Sequence, residues 1–377
     1  MPVAPVNAQG AFIYYEDSGI PQGSSDYMTL VIIHGLIFHG AGFLGLFPHA
    51  ATHNLRIITL NLRDYPGSTP YTSSELDLLC SENVEDQDTA VRSQGREIVA
   101  FLKYLVETED LPPLKNVTGG KTGGITVMSW SLGNIWTLSL FGNASLVDQE
   151  TSSILLPAMR AWIIYELKFH IYEDPPHFAA GVPLPKGIYF PIADESMPLL
   201  QRGVAFRRWV SAFYTPLPEL TDDVRAIGER VVVFDTTGEA AYRPTTDVLS
   251  AAQVEAITTP DVLLRSARFL FTLNDKVCSQ NVQRALCGVD GSFPNVQAVL
   301  MWCDMSCGPC PVGSKCMADK VQEARVEGRV TREVKVIKLE RANHFVRRIP
   351  LMTPYTHIPQ LHWHEPDRFL RTIVENV

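Results

Sequence analysis

The chain has 377 residues, 46% of them hydrophobic and 19% charged, and carries 32 lysines and arginines against 41 aspartates and glutamates. A net charge of −9 without a dense Lys/Arg cluster argues against a nucleic-acid partner, and the ordinary globular composition argues against extended disorder. No apolar run approaches the ~18 residues of a membrane helix, so no membrane span is expected. The opening "MPVAPVNAQG" lacks the basic start and apolar core of a secretory signal, and seven cysteines, an odd number, suit a reducing compartment; the chain reads as cytoplasmic.

In chain order, "AFIYYEDSG" (Ala11 to Gly19), "MTLVIIHG" (Met28 to Gly35) and "LRIITLNLRD" (Leu55 to Asp64) are short, β-rich and apolar, as buried strands are. From Asp88 to Val106, residues Ala90, Ile98, Leu102, Leu105 and Val106 share one face and predict an amphipathic helix despite Gly95. A strand "GITVMS" and a helix "LGNIWTLSLFG" follow, then a strand from Arg160 to Glu166. This alternation predicts an α/β fold with a mostly parallel sheet flanked by helices. It stops between about residues 168 and 295, where the chain is rich in proline and aromatics and then helical in pattern ("LLQRGVAFRRWVSAFY", "TTDVLSAAQVEAI", "PDVLLRSARFLFTLN"). Strands resume at Val296–Asp304 and Arg332–Glu340, separated by a helical "KCMADKVQEARVEG", and a last helix begins near Pro366. The organisation expected is a core of residues 1–167 and 296–377 with a mainly helical cap, 168–295, inserted into it.

Ser131 lies in "Ser129-Trp130-Ser131-Leu132-Gly133", between a predicted strand and a predicted helix and flanked at −2 and +2 by small residues. Small neighbours are what a sharp strand-to-helix turn needs around a strained nucleophile, normally written G-x-S-x-G; Ser129 departs from the first glycine. A serine needs a base and an orienting acid. His344 in "RANHF" follows the last predicted strand, and Asp304 in "MWCDMS" ends the one before it, giving the order Ser, Asp, His. All three fall at carboxyl ends of predicted strands, where open α/β sheets place their sites. The backbone N–H groups of Leu36, after "His34-Gly35", and of Leu132 are candidates for an oxyanion hole.

With these residues in view, the sequence resembles the α/β-hydrolase superfamily: the strand followed by His34-Gly35, "NLRDYPGSTP" at Asn61 to Pro70, the elbow at Ser131, "WCD" for the acid and "ANHF" for the base. The resemblance covers about 1–165 and 296–377. It implies the α/β-hydrolase fold with Ser131 as nucleophile, His344 as general base and acid, Asp304 as orienting acid, and Leu36 and Leu132 as oxyanion donors.

A serine nucleophile argues against epoxide hydrolase or dehalogenase chemistry and for acyl transfer to water: a serine hydrolase acting on an ester, lactone or thioester. The apolar, aromatic cap favours a medium-sized hydrophobic small molecule. His34, Gly35, Trp130, His177 and Trp209 are candidates for its pocket, and Asp275, after the run "FLFTLN", is an alternative acid. Two other classes fit the same residues, a lyase or C–C bond-cleaving enzyme and a non-catalytic ligand sensor. No cofactor is called for. The cluster Cys303, Cys307, Cys310 and Cys316 lacks a second well-separated C-x2-C pair and reads as loop thiols, so no metal is expected. Nothing in the sequence fixes the oligomeric state.

Overall fold

The computed structural model describes residues 2–167, 189–233, 242–288, 291–345 and 365–377. The apolar runs become strands β2 (Phe12–Asp17), β3 (Met28–Ile33), β4 (Leu55–Asn61), β5 (Ile125–Trp130), β6 (Met159–Tyr165), β7 (Gln297–Cys303) and β8 (Val334–Leu339), and a short β1 (Val3–Pro5) that the sequence did not predict precedes them. They form one eight-stranded sheet in the order β1-β2-β4-β3-β5-β6-β7-β8. β2 runs antiparallel to both of its neighbours, and every pairing from β4 to β8 is parallel. Every residue of β3, β4, β5 and β6 is buried, which is why these strands read as continuous apolar runs rather than as alternating ones.

The order places β5 beside β3, while the chain leaves β3 towards β4 and leaves β5 towards β6. Connections departing in opposite directions open a crevice at the carboxyl ends of β3 and β5, the usual location of a site in such sheets. His34-Gly35 and Ser131 are the residues that follow those two strand ends.

Helix α1 (Val84–Thr108) is capped by Asn83, whose side chain accepts from the N–H groups of Glu85 and Asp86. Gly95 in its middle has a packing reason: a Cβ there would come within 2.9 Å of Leu146 Cδ1 and 3.1 Å of the Leu140 backbone nitrogen. The glycine therefore lets α1 lie directly on α2 (Asn134–Gly142).

Between β6 and β7 the described residues add no strand to the sheet. They include α3 (Leu199–Val210) and two short 3₁₀ segments, Pro260–Leu264 and Ser266–Phe271, where the sequence predicted a continuous helix. The break falls at Arg265, with φ −126° and ψ −112°. Helix α4 (Asp275–Leu286) departs from the expected insertion boundary at 295, because it packs on α2 beside the sheet: Asn281 Oδ1 accepts from Asn143 Nδ2 at 2.9 Å, and a Cβ on Gly142 would lie 2.7 Å from the Asn281 carbonyl. α5 (Pro309–Val326) begins six residues before the predicted Lys315, with Pro309 at a first-turn position that needs no N–H. α6 (Pro366–Asn376) closes the chain. Among the described residues no helix is long and apolar enough to cross a membrane.

Arg332 joins α4 to the sheet without an acidic partner among the described residues. Its guanidinium donates to the carbonyls of Ala285 (2.8 Å), Ser292 (2.9 Å), Phe293 (2.6 Å) and Val296 (2.7 Å), with Phe141 and Trp162 against its face. Burial lowers its pKa to about 10, so it stays charged at neutral pH. Removing it strands four buried carbonyls; Arg332→Met is expected to cost about 3 kcal/mol or more of stability, read as a lower urea midpoint at unchanged m value.

Candidate active site

Ser131 is held in the left-handed region, at φ 58°, in the tight turn Ser131–Gly133 between β5 and α2. A non-glycine residue adopts that conformation only when its surroundings over-determine it. Here the surroundings are backbone. A Cβ on Gly35 would lie 2.8 Å from Ser131 Cβ, and one on Gly133 would lie 2.3 Å from the His34 carbonyl oxygen. The departure at Ser129 is a working part of the turn: its hydroxyl bonds Asn134 Oδ1 at 2.6 Å and Thr137 Oγ1 at 2.7 Å. With its oxygen so occupied, Asn134 turns Nδ2 onto the carbonyls of Ser131 (2.7 Å) and Tyr165 (3.1 Å). One side chain thus ties the serine turn to the end of β6.

His344 follows β8 on a turn pinned by Asn343, whose Nδ2 donates to Ser211 O and Thr245 Oγ1. Its ring lies 4.9 Å from that of Trp130, whose indole N–H donates to the His344 carbonyl at 3.2 Å. The carboxylate on His344 Nδ1 is Glu166, at 2.8 Å, not Asp304. Glu166 is the residue immediately after β6, wholly buried, at φ 50°. It also accepts from the Cys303 N–H (2.6 Å) and the Ser306 hydroxyl. Asp304 is buried but aimed at backbone: its Oδ1 accepts from the Ala342 N–H at 3.1 Å, which steadies the turn carrying His344. Burial pushes the Asp304 carboxyl up, partly offset by the Arg341 and Ala342 N–H groups. Asp275, the other acid considered, lies in the first turn of α4.

His34 is not a free pocket group. Its Nδ1 pairs with the Gly35 carbonyl at 2.9 Å and its Nε2 accepts from the Leu62 N–H at 2.9 Å, which fixes the neutral Nδ1–H tautomer. Burial drops its pKa to about 3. The loop beyond it is held by Tyr65, whose hydroxyl accepts from the Ile37 N–H at 3.1 Å, and by the segment near Thr258, through Thr259 N–H to Ile37 O (2.7 Å) and His39 N–H to Ile257 O (3.1 Å). Leu36 and Leu132 come together on one cavity of about 30 Å³ that also touches His34, Gly35, Trp136 and Phe269.

No protein-family model and no curated protein matches the sequence. Among solved structures, Cfl2 from Burkholderia cenocepacia is 12% identical and superposes with a TM-score of 0.52 over 99% of this chain and 94% of that one. A bromoperoxidase from Bacillus anthracis (15% identity, 91% and 92% covered) and an esterase from Exiguobacterium antarcticum (12%, 99% and 97%) each reach 0.47. The strand order, with its single antiparallel β2 and a strained serine after β5, decides the architecture. This is the α/β-hydrolase fold.

Within that fold the expected residues are placed unevenly. Ser131, Leu36 and Leu132 come close together at the carboxyl edge, and His344 lies over Trp130, the residue before the serine. Trp130 is packed under His344 among Phe38, Phe43 and Phe345. Trp209 packs edge-on with Phe190 and at a tilt with Phe206, and lines a different cavity with Val232 and Tyr242. His177 lies outside the described residues. Glu166 was missed as a partner of His344, although a signal was present: it is an acid that ends a buried apolar strand, and that strand lies next to the one that carries the serine. Three of the four cysteines are not loop thiols, since Cys303 ends β7 and Cys310 and Cys316 lie in α5; Cys307 is in the turn between β7 and α5, and all four are buried.

Two expectations follow. A hydrogen-bonded Nδ1 proton of His344 is expected in the downfield proton NMR spectrum, retained in Asp304→Asn and lost in Glu166→Gln. For His34, the folded pKa lies below the unfolded value of about 6.5, so the unfolded state binds more protons between those values and stability falls as pH drops from about 6.5 towards about 3. His39, lowered to about 4, adds to the same slope. Urea midpoints measured across this window should fall less steeply in His34→Gln.

Proposed function

We propose that the protein is a serine hydrolase that cleaves an ester, lactone or thioester of a hydrophobic small molecule through an acyl-enzyme on Ser131. Two observations carry this reading: a serine strained at φ 58° at the end of β5, and a histidine packed on the preceding Trp130 whose Nδ1 is held by a buried carboxylate at the end of the next strand. Glu166 keeps the proton on Nδ1, so the other ring nitrogen, Nε2, is the basic one that would take the Ser131 proton and return it to the leaving group. The carboxylate also stabilises the imidazolium that forms in between. The acid in this proposal is Glu166 in place of Asp304, which acts on the turn backbone instead.

The N–H groups of Leu36 and Leu132 would receive the oxyanion. The close approach that Gly35 and Gly133 permit brings both residues to the cavity wall, and a hole of this kind is worth about 3 kcal/mol per donor. That cavity is small and mostly apolar, so an acyl group that enters it beside Leu36 and Leu132 must be short. The helical residues from α3 to Phe271 serve as the cap, since they pin the loop after His34 through Ile257 and Thr259.

Turnover of p-nitrophenyl esters and labelling by a fluorophosphonate are the direct tests. Both should vanish in Ser131→Ala, with acetate and butyrate esters cleaved faster than long-chain ones. Glu166→Gln should lower kcat about 10³- to 10⁴-fold, and Asp304→Asn less than about 10-fold. Labelling that survives in Ser131→Ala would refute the assignment of the nucleophile.

A further inference from the structure

The catalytic histidine and its carboxylate have neighbours that acyl transfer does not use. Cys310 Sγ lies 3.4 Å from His344 Nδ1, and Cys307 Sγ lies 3.6 Å from Cys310 Sγ. Ligand atoms of Glu166, Cys310 and His344 all fall within 4.8 Å of one another. All four residues are buried. We infer that Glu166, Cys307, Cys310 and His344 form a site for a thiophilic divalent cation of the zinc class, and that filling it switches off the base.

The spacing fits such an ion. Two sulfurs on a tetrahedral zinc with bonds of about 2.3 Å stand about 3.8 Å apart, and a sulfur and an imidazole nitrogen about 3.6 Å apart. Cys310 already stands near these separations from Cys307 and from His344, while Cys307 lies outside the 4.8 Å group formed by the other three and joins it by turning its side chain. Cys307 and Cys310 are three residues apart where the chain enters α5, so their thiols lie side by side, and the two remaining donors come from the ends of β6 and β8. A search for metal spacing along the sequence considers the cysteines alone and cannot assemble this set.

The electrostatics also fit. A buried charge must be balanced, and the guanidinium of Arg230, which donates to the carbonyls of Asp304 and Ser306, lies close enough to feel Glu166, Cys307 and Cys310. Zinc would displace one proton from each thiol to solvent, so the net charge of the pocket is the same empty or filled. At His344 the ion would take Nδ1, and the proton there would leave while Nε2 acquires one from solvent. The ring then presents an N–H to Ser131 instead of a lone pair, and the Glu166 hydrogen bond is replaced by a metal bond. The loss of base function rests on the serine-hydrolase reading; the cation site itself does not.

The test uses the full-length, reduced, metal-free protein titrated with Co²⁺. One equivalent should bind and give a near-ultraviolet thiolate-to-cobalt charge-transfer band that Zn²⁺ abolishes by displacement. The band should be absent in the Cys307→Ser/Cys310→Ser double variant. No band in the wild-type protein, or a band that persists in the double variant, overturns the site. A Cys307–Cys310 disulfide found by thiol counting, with no cobalt uptake after reduction, overturns it as well. Fluorophosphonate labelling of Ser131 should be at least about 100-fold slower in the zinc-loaded protein than in the metal-free one, the scale of losing a general base. Cobalt binding with unaltered labelling would overturn the switch alone. Cobalt binding in a protein that never labels would instead count against the hydrolase reading and leave the cation site standing.

Discussion

Two stretches of backbone touch at the carboxyl edge of the sheet with no side chain between them, and the geometry of the site depends on that contact. Gly35 faces Ser131, and Gly133 faces the carbonyl of His34; at either position a methyl group would overlap its neighbour. The contact exists because β3 and β5 are adjacent and in register, with Ile33 opposite Ser129, so the chain leaves both strands at the same level. It forces the serine into its strained turn, and the same contact sets Leu36 beside Leu132.

The polar groups that this close packing buries are answered mostly by main chain. His34 spends both ring nitrogens on backbone and stays neutral; Asn134 bridges two carbonyls; Asp304 accepts from the turn before His344. Groups paired in this way rigidify a site, because in a low-dielectric interior each lost bond is costly. The exception is Glu166, whose carboxylate serves a backbone N–H, a hydroxyl and an imidazole at once.

Seven of the eight sheet strands were legible as apolar runs, within one to three residues at their ends. β1 escaped because three residues carry no periodicity. Gly95 argued against α1 from sequence, while its packing reason lies in Leu140 and Leu146, which no local pattern can reveal. The serine and the histidine were legible because each sits in a distinctive turn after a strand. The carboxylate that meets His344 was not, since Asp304 and Glu166 both end strands, and the sequence does not say which strand end can reach the histidine. That depends on strand order and on where the side chain finds its bonds. The same limit hid the cysteines' surroundings: their spacing was visible, but the donors that converge on them were not.

Glu166 leaves β6 one position beyond Tyr165, which is paired with Trp130, and Ser131 leaves β5 one position beyond Trp130. Serine and acid therefore stand at the same rung of neighbouring strands, separated by about one inter-strand step of ~4.8 Å. The sheet acts as a ruler for this spacing, with its ladder of hydrogen bonds as the graduations. Only the histidine is delivered by a loop, so a lineage remodelling that loop would alter the reach of His344 while the distance from Ser131 to Glu166 stayed fixed.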